Sequence, residues 1–531
     1  MKDEPSSELE NLIRRGQAYS RRGEYLRAIE AFSAAIDLAP TDPELYYQRG
    51  NALVATERYA EAIADFSQAL TLRPDYAEAY HNRATAYADL GDLEAALADY
   101  TQAIQLDPTD PDPVNGRAAI YSRLKNFAAA FADYDTAVQL APNTFRVYFN
   151  RANAHSALHQ HQAAIADYSD ALRLNPFHVR AYLYRAMSYE ALGQLPEAIG
   201  DLTTALRLQP TATEAFWVRA RLRSEEGQHA QAIADYTWLI KCDPHSADAY
   251  NLRGVEYAEL QDHDRAIADF TSAIRFEPTD ASLWFNRGLS YLRLRRWTEA
   301  IDDFTEAIRL APDDATSYVQ RGYAYHESRD DPRALADFTH ALTLTPHNAR
   351  AYFGRALTYR RQGQWTLALA DISAALQQNP HWPAAYNLRG TIHARLGHLE
   401  AALADHLHAH TINPEDAATL NHLAWLRATC PQADLRDGHA ALRDALHACE
   451  LTGYAIPGYV DTLAAAYAEL GRYDDAIKWQ SKALDLASEA SRADYQARLE
   501  LYRQHLPYRE CMPPPPDATV SPQGNAGPLP A

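Results

Sequence analysis

The stretch AEAYHNRATAYADLGDLEAALADYTQAIQLDPTD, residues 77–110, decides the architecture. Its apolar and aromatic residues recur at helical spacing twice, first as Tyr80, Ala84 and Tyr87, then as Leu93, Ala96, Leu97, Tyr100, Ala103 and Ile104. Gly91 stands between the two runs, where a helix C-terminus favours a left-handed residue. Pro108 ends the second run, because proline cannot donate to the preceding turn. The unit is two short helices joined by a tight turn. One such hairpin cannot bury its own apolar face, so copies must stack.

Working outward, the copies are present in strict register. Prolines stand at 40, 74, 108, 142, 176, 210, 244, 278, 312, 346, 380 and 414, each 34 residues after the last. Ala28, Ala62, Ala96 and their equivalents through Ala232 to Ala402 form an unbroken alanine column. A second column holds only Gly or Ala: Gly16, Gly50, Ala84, Ala118, Ala152, Ala186, Ala220, Gly254, Gly288, Gly322, Ala356 and Gly390. Small residues at two fixed places imply two helices in close contact there. Asp42, Asp110, Ser246, Asp280, Asp314 and Asn348 follow the prolines at the place where a side chain caps the next helix.

These residues resemble the tetratricopeptide repeat (TPR) family: its small residue on the first helix, its alanine on the second, its helix-ending proline and its early aromatic, here Tyr46, Tyr80, Tyr148, Tyr182, Phe216, Tyr250, Trp284, Tyr318, Tyr352 and Tyr386. Leu12 and Val114 depart from that aromatic, and Leu239 alone breaks a further alanine column, Ala35, Ala69, Ala103 and so on. The resemblance implies an all-α fold, a right-handed superhelical solenoid of helix-turn-helix units with a C-terminal capping helix. The expected divisions are an extension at 1–8, twelve regular repeats at 9–416, a degenerate pair with an insertion at 417–456, a terminal repeat at 457–490, a capping helix at 491–508 and a proline-rich disordered tail at 509–531. The end of the chain, through Pro507-Tyr-Arg-Glu, is similar to the C-terminal module of some bacterial TPR proteins.

Two charged columns depart from the generic family. Arginine precedes the small residue from Arg15 to Arg389, and aspartate stands on the second helix from Asp65 to Asp405; only the first repeat lacks the acid, having Ala31. Each arginine is expected to meet an aspartate across the hairpin in a bidentate pair. Arg219, Asp235, Ala232 and Gly254 are thus read as scaffold.

The resemblance places the concave groove on the first helices, at Tyr47, His81, Asn115, Phe149, Leu183, Trp217, Asn251, Phe285, Val319, Phe353 and Asn387. Neighbouring groove positions include Asn51, Asn153, Met187, Arg221, Leu289, Tyr323 and Leu357. An exposed aromatic stripe of this length is a liability without a ligand, and aromatics are the usual anchors of an interface. Charge changes along this face, from Glu10, Glu44, Glu78, Asp89 and Asp112 to Arg293, Arg350, Arg360, Arg361 and Arg395, with Glu327 against the trend. An acidic or apolar extended segment should prefer the later half. The subtype that clamps a terminal carboxylate uses groove lysines, and the five lysines here, Lys2, Lys125, Lys241, Lys478 and Lys482, lie elsewhere.

Composition narrows the function further. The 531 residues carry 50 basic and 70 acidic side chains, a net charge of −20, which argues against a nucleic-acid partner. No run is long and apolar enough for a membrane span, and Met1 to Glu10 lacks a signal-peptide pattern, so a cytoplasmic protein is expected. No P-loop, Gly-rich dinucleotide turn, HExxH or GxSxG occurs, and the repeats leave no room for a catalytic domain; no cofactor is expected. His406 and His410 are four apart, a metal-compatible spacing, but His406 falls in the ring column of the core, so no metal is expected. Cys430 and Cys449 read as packed free thiols. The reading is a non-enzymatic scaffold that binds an extended peptide or protein segment in its groove. The alternative is a regulatory or targeting subunit of an enzyme complex that docks through the C-terminal cap and tail.

Overall fold

The computed structural model describes residues 4–510. They form 29 α-helices and one 3-10 turn, with no strand among the described residues. Two compact units divide after Pro244, between the seventh and eighth hairpins. The first unit runs from the hairpin Glu4–Arg21/Tyr25–Leu38 to the hairpin Thr213–Glu225/His229–Cys242. The second runs from Ala247–Glu259/His263–Phe276 to Pro457–Glu469/Tyr473–Leu486 and ends in the helix Glu489–Arg503. The first helix begins at Glu4, so residues 4–8 of the expected extension belong to the first hairpin. Residues 511–531 of the expected tail lie outside the described residues.

Local chemistry sets the helix ends. Asp42, Asp110, Ser246, Asp280, Asp314 and Asn348 each accept a hydrogen bond from a backbone N–H in the first turn of the helix that follows. Between the helices of each regular hairpin the chain passes through one left-handed residue. Glycine fills that position at Gly23, Gly91, Gly193, Gly227, Gly363 and Gly397, but Glu57, Lys125, His159, Gln261, Arg295 and Arg329 adopt the same positive φ. The turn is imposed by helix packing, which overrides the ~1–2 kcal/mol preference of a side-chain-bearing residue for the other hand.

All twelve alanines of the Ala28 column are completely buried. The Gly/Ala column is matched to the second-helix residue that packs on it. Glycine faces Phe in the pairs Gly16–Phe32, Gly50–Phe66, Gly254–Phe270, Gly288–Phe304 and Gly322–Phe338, and faces a histidine in Gly390–His406. A Cβ on Gly254 would lie 2.8 Å from the Phe270 ring. Where the column holds alanine, its counterpart is Tyr100, Tyr134, Tyr168, Leu202, Tyr236 or Ile372. The Tyr100 and Tyr168 hydroxyls bond Thr85 (3.0 Å) and Asn153 (2.6 Å), which ties these rings to the first helix at their far end.

The charged columns pair across each hairpin. From Arg49–Asp65 to Arg389–Asp405, Nε and one terminal nitrogen donate to the two carboxylate oxygens at 2.6–3.0 Å. In Arg49, Arg83, Arg117, Arg151, Arg185, Arg219, Arg287, Arg321 and Arg355 the remaining terminal nitrogen reaches back to the second helix of the preceding repeat, where it donates to Ser33, Ser67, Thr101, Asp135, Ser169, Thr203, Thr271, Thr305 or Thr339 at 2.7–3.2 Å. One guanidinium therefore staples three helices, which a lysine lacks the donor geometry to do. Its plane also lies over the aromatic that opens the first helix, at 5.0 Å for Arg287 over Trp284. The bond to Asp65 holds Arg49 above its ordinary pKa, while burial pushes the Asp303 carboxyl up despite Arg287. In the seventh repeat Asp235, only 3% exposed, also receives Arg223 at 2.7 Å.

Candidate functional site

Within each unit most successive first helices touch one another, while no pair of second helices packs to that extent among the described residues. The first helices therefore form the inner row of each stack. Their free face is notched at a fixed register. Between repeats 4 and 5 a cavity of about 290 Å³ is lined by Ala119, Ser122, Arg123, Tyr134, Asn150 and Asn153. One repeat on, Asn153, Ser156, Ala157, Tyr168, Tyr184 and Met187 line a second of about 290 Å³. Val255, Ala258, Glu259, Phe270, Asn286 and Leu289 line a third, about 300 Å³, between repeats 8 and 9. Thr391, Ala394, Arg395, His406, His422 and Trp425 line a fourth, about 130 Å³, between repeats 12 and 13. Each residue in one set stands a multiple of 34 positions from its counterpart in the next. A notch recurs because the core ring of one hairpin and two side chains of the next first helix always meet at the same place.

The expected groove column lies above these notches, stacked on the core rings. Tyr47 packs on Phe66 and Tyr76, His81 on Tyr100, Phe149 on Tyr168 and Tyr184, Trp217 edge-on to Tyr236, and Phe285 on Phe304, with centroids 4.8–6.0 Å apart. Phe353 stacks on Trp382 at 4.5 Å, and Tyr323 meets the Phe338 ring edge-on while its hydroxyl donates to the Arg350 carbonyl. These rings and Leu183 are half-buried, so each shows an edge or a face to the inner side instead of standing free. More open apolar surface lies at Tyr184 and Met187, 38% and 58% exposed.

Three expected groove residues are not on an open face. Asn115, Val319 and Asn387 are buried. Asn115 accepts from Asn150 (3.2 Å), and Asn387 is held between His406 of its own hairpin and Thr419 of the next (3.1 and 2.6 Å), so their polar groups are spent inside the packing. Asn251 is half-buried and likewise accepts from Asn286 at 3.0 Å. The donors Asn82, Asn150 and Asn286, with Tyr184 and His422, form a column one residue beyond the expected one. The repeated asparagine was the available signal.

The charged residues also divide. Arg361 is ion-paired with Asp331. Glu44 is engaged by Tyr76 and Gln48 at 2.6 and 2.7 Å. Arg293, Arg350, Arg360 and Arg395 are exposed and make no ion pair among the described residues. Burial and the nearby Arg361, Arg360 and Arg329 push His326 down to about 4, which marks this part of the wall as electropositive.

The His406, His408 and His410 side chains point apart. His406 is under Gly390, its pKa pushed down to about 3 by burial and by His422; His408 packs on Tyr386. No group of three His, Cys, Asp or Glu residues that would hold a metal occurs among the described residues. Cys430 and Cys449 are buried free thiols in separate clusters. No described helix is long and apolar enough to cross a membrane.

At the C-terminal end the inner face is covered by the chain itself. Asp461 on the last first helix is 4% exposed and receives Arg498 from the terminal helix (2.8 Å) and Gln480 (2.7 Å). The chain then turns back. Arg509 pairs with Glu469 at 2.6 Å, the Glu510 N–H donates to the Thr429 carbonyl at 2.9 Å, and the Trp425 indole donates to the Glu510 carboxylate at 2.7 Å. Arg509 and Glu510, expected to open the disordered tail, are bound because the helix Ala417–Thr429 ends in carbonyls that need donors.

Stacked hairpins with a notched inner row define a helical-repeat solenoid. Profiles described as tetratricopeptide repeat or TPR repeat match residues 16–56, 50–91, 77–110, 115–144, 149–213, 218–281, 255–321, 319–381, 353–417 and 461–489. The chain belongs to the tetratricopeptide repeat family. No curated protein matches it by sequence. Among solved structures, the APC/C hetero-tetramer Cut9–Hcn1 is similar at 16% identity over 92% of this chain and 96% of that one, with a TM-score of 0.41. The C-terminal part of a TPR repeat-containing protein from Cytophaga hutchinsonii shares 20% identity over 45% and 98%, at 0.39. The TPR domain of P58(IPK) shares 19% over 73% and 97%, at 0.29.

Proposed function

We propose that the chain is a non-catalytic scaffold that holds an extended peptide or protein segment along the inner row of first helices. The observation that carries this reading is the repeated notch: four cavities at one register, each walled by a core ring and edged by Asn, Ser or Arg. Such a row suits a ligand that advances in step with the repeats, placing side chains into notches and its backbone against the polar edges. Half-buried rings add contact area at low entropic cost, since stacking already fixes them. Arg293, Arg350, Arg360 and Arg395, which make no ion pair among the described residues, supply charge selectivity in the second unit. Docking through the cap finds less support, because the described part of the terminal segment is engaged with the chain's own helices.

The test is partner capture by the full chain against the double variant Trp217→Ala with Phe285→Ala. The variant should lose the partner while keeping its helical content. Loss on deleting residues 490–531, with the double variant unaffected, would move the binding surface to the cap.

A further inference from the structure

The notch between repeats 12 and 13 differs from the other three in chemistry and in its neighbour. Ala394, Leu399, Leu426 and the Trp425 ring make its walls apolar, and its volume is about 130 Å³. Dry apolar cavities of about 150 Å³ accept a benzene-sized group, so this one accommodates a single leucine or ring. Its rim is cationic: Arg395 lies over the Trp365 ring at 5.4 Å, and neither Arg395 nor the nearby Arg360 has an acidic partner among the described residues. The His422 Nδ1 is buried without a hydrogen-bond partner among the described residues. Burial lowers the pKa of that imidazole, against the pull of Asp416 and with the push of Arg360. Among the described residues the acid that lines the notch is Glu510, which arrives from beyond the terminal helix and takes the Trp425 N–H.

Residues 509–510 show how an extended chain seats here. Backbone and guanidinium donors satisfy the Thr429 and Ala428 carbonyls at the helix end (2.9 and 3.2 Å), and a carboxylate takes the indole. Building on the inner-row reading, we propose that this notch is a recognition pocket for an acidic peptide segment bearing one leucine-sized side chain. The apolar side chain enters between Ala394 and Leu399, flanking carboxylates face Arg360 and Arg395, and one of them replaces Glu510 on Trp425. Glu510 is then an internal competitor that sets the affinity threshold.

The experiment is fluorescence anisotropy of the full chain with labelled short peptides: one with a single leucine between glutamates, one with lysines in place of the glutamates, one with serine in place of the leucine. The glutamate–leucine peptide should bind best. Its affinity should rise about tenfold in Glu510→Ala and fall about tenfold in Arg360→Glu, a shift of about 1.4 kcal/mol each way. Ala394→Trp, which fills the notch from its wall, should abolish binding, with circular dichroism and the melting temperature confirming the fold. Equal binding of the lysine peptide, or indifference to both Glu510→Ala and Ala394→Trp, overturns the proposal. Binding lost in the Trp217/Phe285 double variant but kept in Ala394→Trp overturns the pocket and leaves the inner-row reading standing. No binding to either the native chain or Glu510→Ala also overturns the pocket.

Discussion

The twelve regular hairpins and the C-terminal closure use the same ionic chemistry to opposite ends. From Arg49 to Arg389 each arginine bonds the aspartate sixteen residues later, and most also bond a hydroxyl or carboxylate sixteen residues earlier, so each pair serves its own neighbourhood. In the closure the pairs are distant in sequence: Arg498 with Asp461, Arg509 with Glu469, Trp425 with Glu510. The first arrangement repeats a unit without limit and leaves the inner face open. The second ends the stack and spends the inner face on the chain's own terminus. Openness is therefore decided by where the charges are paired, not by how many there are.

The sharpest way to break this comparison is to remove one acid from each region. Asp235→Ala leaves the buried Arg219 and the half-buried Arg223 without their carboxylate and should cost about 3–5 kcal/mol by chemical denaturation. Asp461→Ala should cost a similar amount, and it should also raise amide exchange across 489–510, which Asp235→Ala should leave protected. A near-neutral Asp235→Ala would make the column surface decoration.

Next in size is a pH effect at the boundary between the regions. His406 has its pKa pushed down to about 3 from an ordinary 6.5 by burial. Between those values the unfolded chain binds a proton that the folded chain does not, so stability falls as pH drops below 6.5. At pH 5 this one group should cost about 2 kcal/mol. His406→Phe places under Gly390 the ring that other glycines of the column already accept, and it should flatten the profile between pH 7 and 5. An unchanged slope would show that His406 takes up its proton equally in the folded and unfolded states.

A smaller effect tests the packing match inside the regular repeats. Gly254→Ala should cost about 1–3 kcal/mol through the clash with Phe270. Pairing it with Phe270→Leu, the combination Ala186 and Leu202 already use, should recover most of that loss in a double-mutant cycle. Smallest is Gln261→Gly, which relieves a left-handed residue. It should raise the melting temperature, by about 1 kcal/mol of stability.

Much of the regular array was legible because repetition turns each structural role into a column. The prolines, the Ala28 column, the six caps and the Arg–Asp pairing all follow from position alone. The hydroxyl that receives the third arginine nitrogen sits in a column of Ser33, Ser67 and Thr101 that serves the neighbouring repeat, so it carries no meaning within one hairpin. The groove was less legible. Whether Asn115 or Phe149 faces outward depends on what the next repeat sets beside it, Asn150 in one case and Tyr184 in the other. The closure was least legible, since Trp425 and Glu510 are joined across 85 residues with no period between them.

The most direct test of the central claim, that partners lie along the inner row, is site-specific photo-crosslinking of the full chain to its partner. A photoreactive phenylalanine at Tyr184, Met187 or Phe353 should crosslink, and the same group at Gln68 or Asp302, exposed on second helices, should not. Crosslinks confined to the second-helix positions would contradict the account.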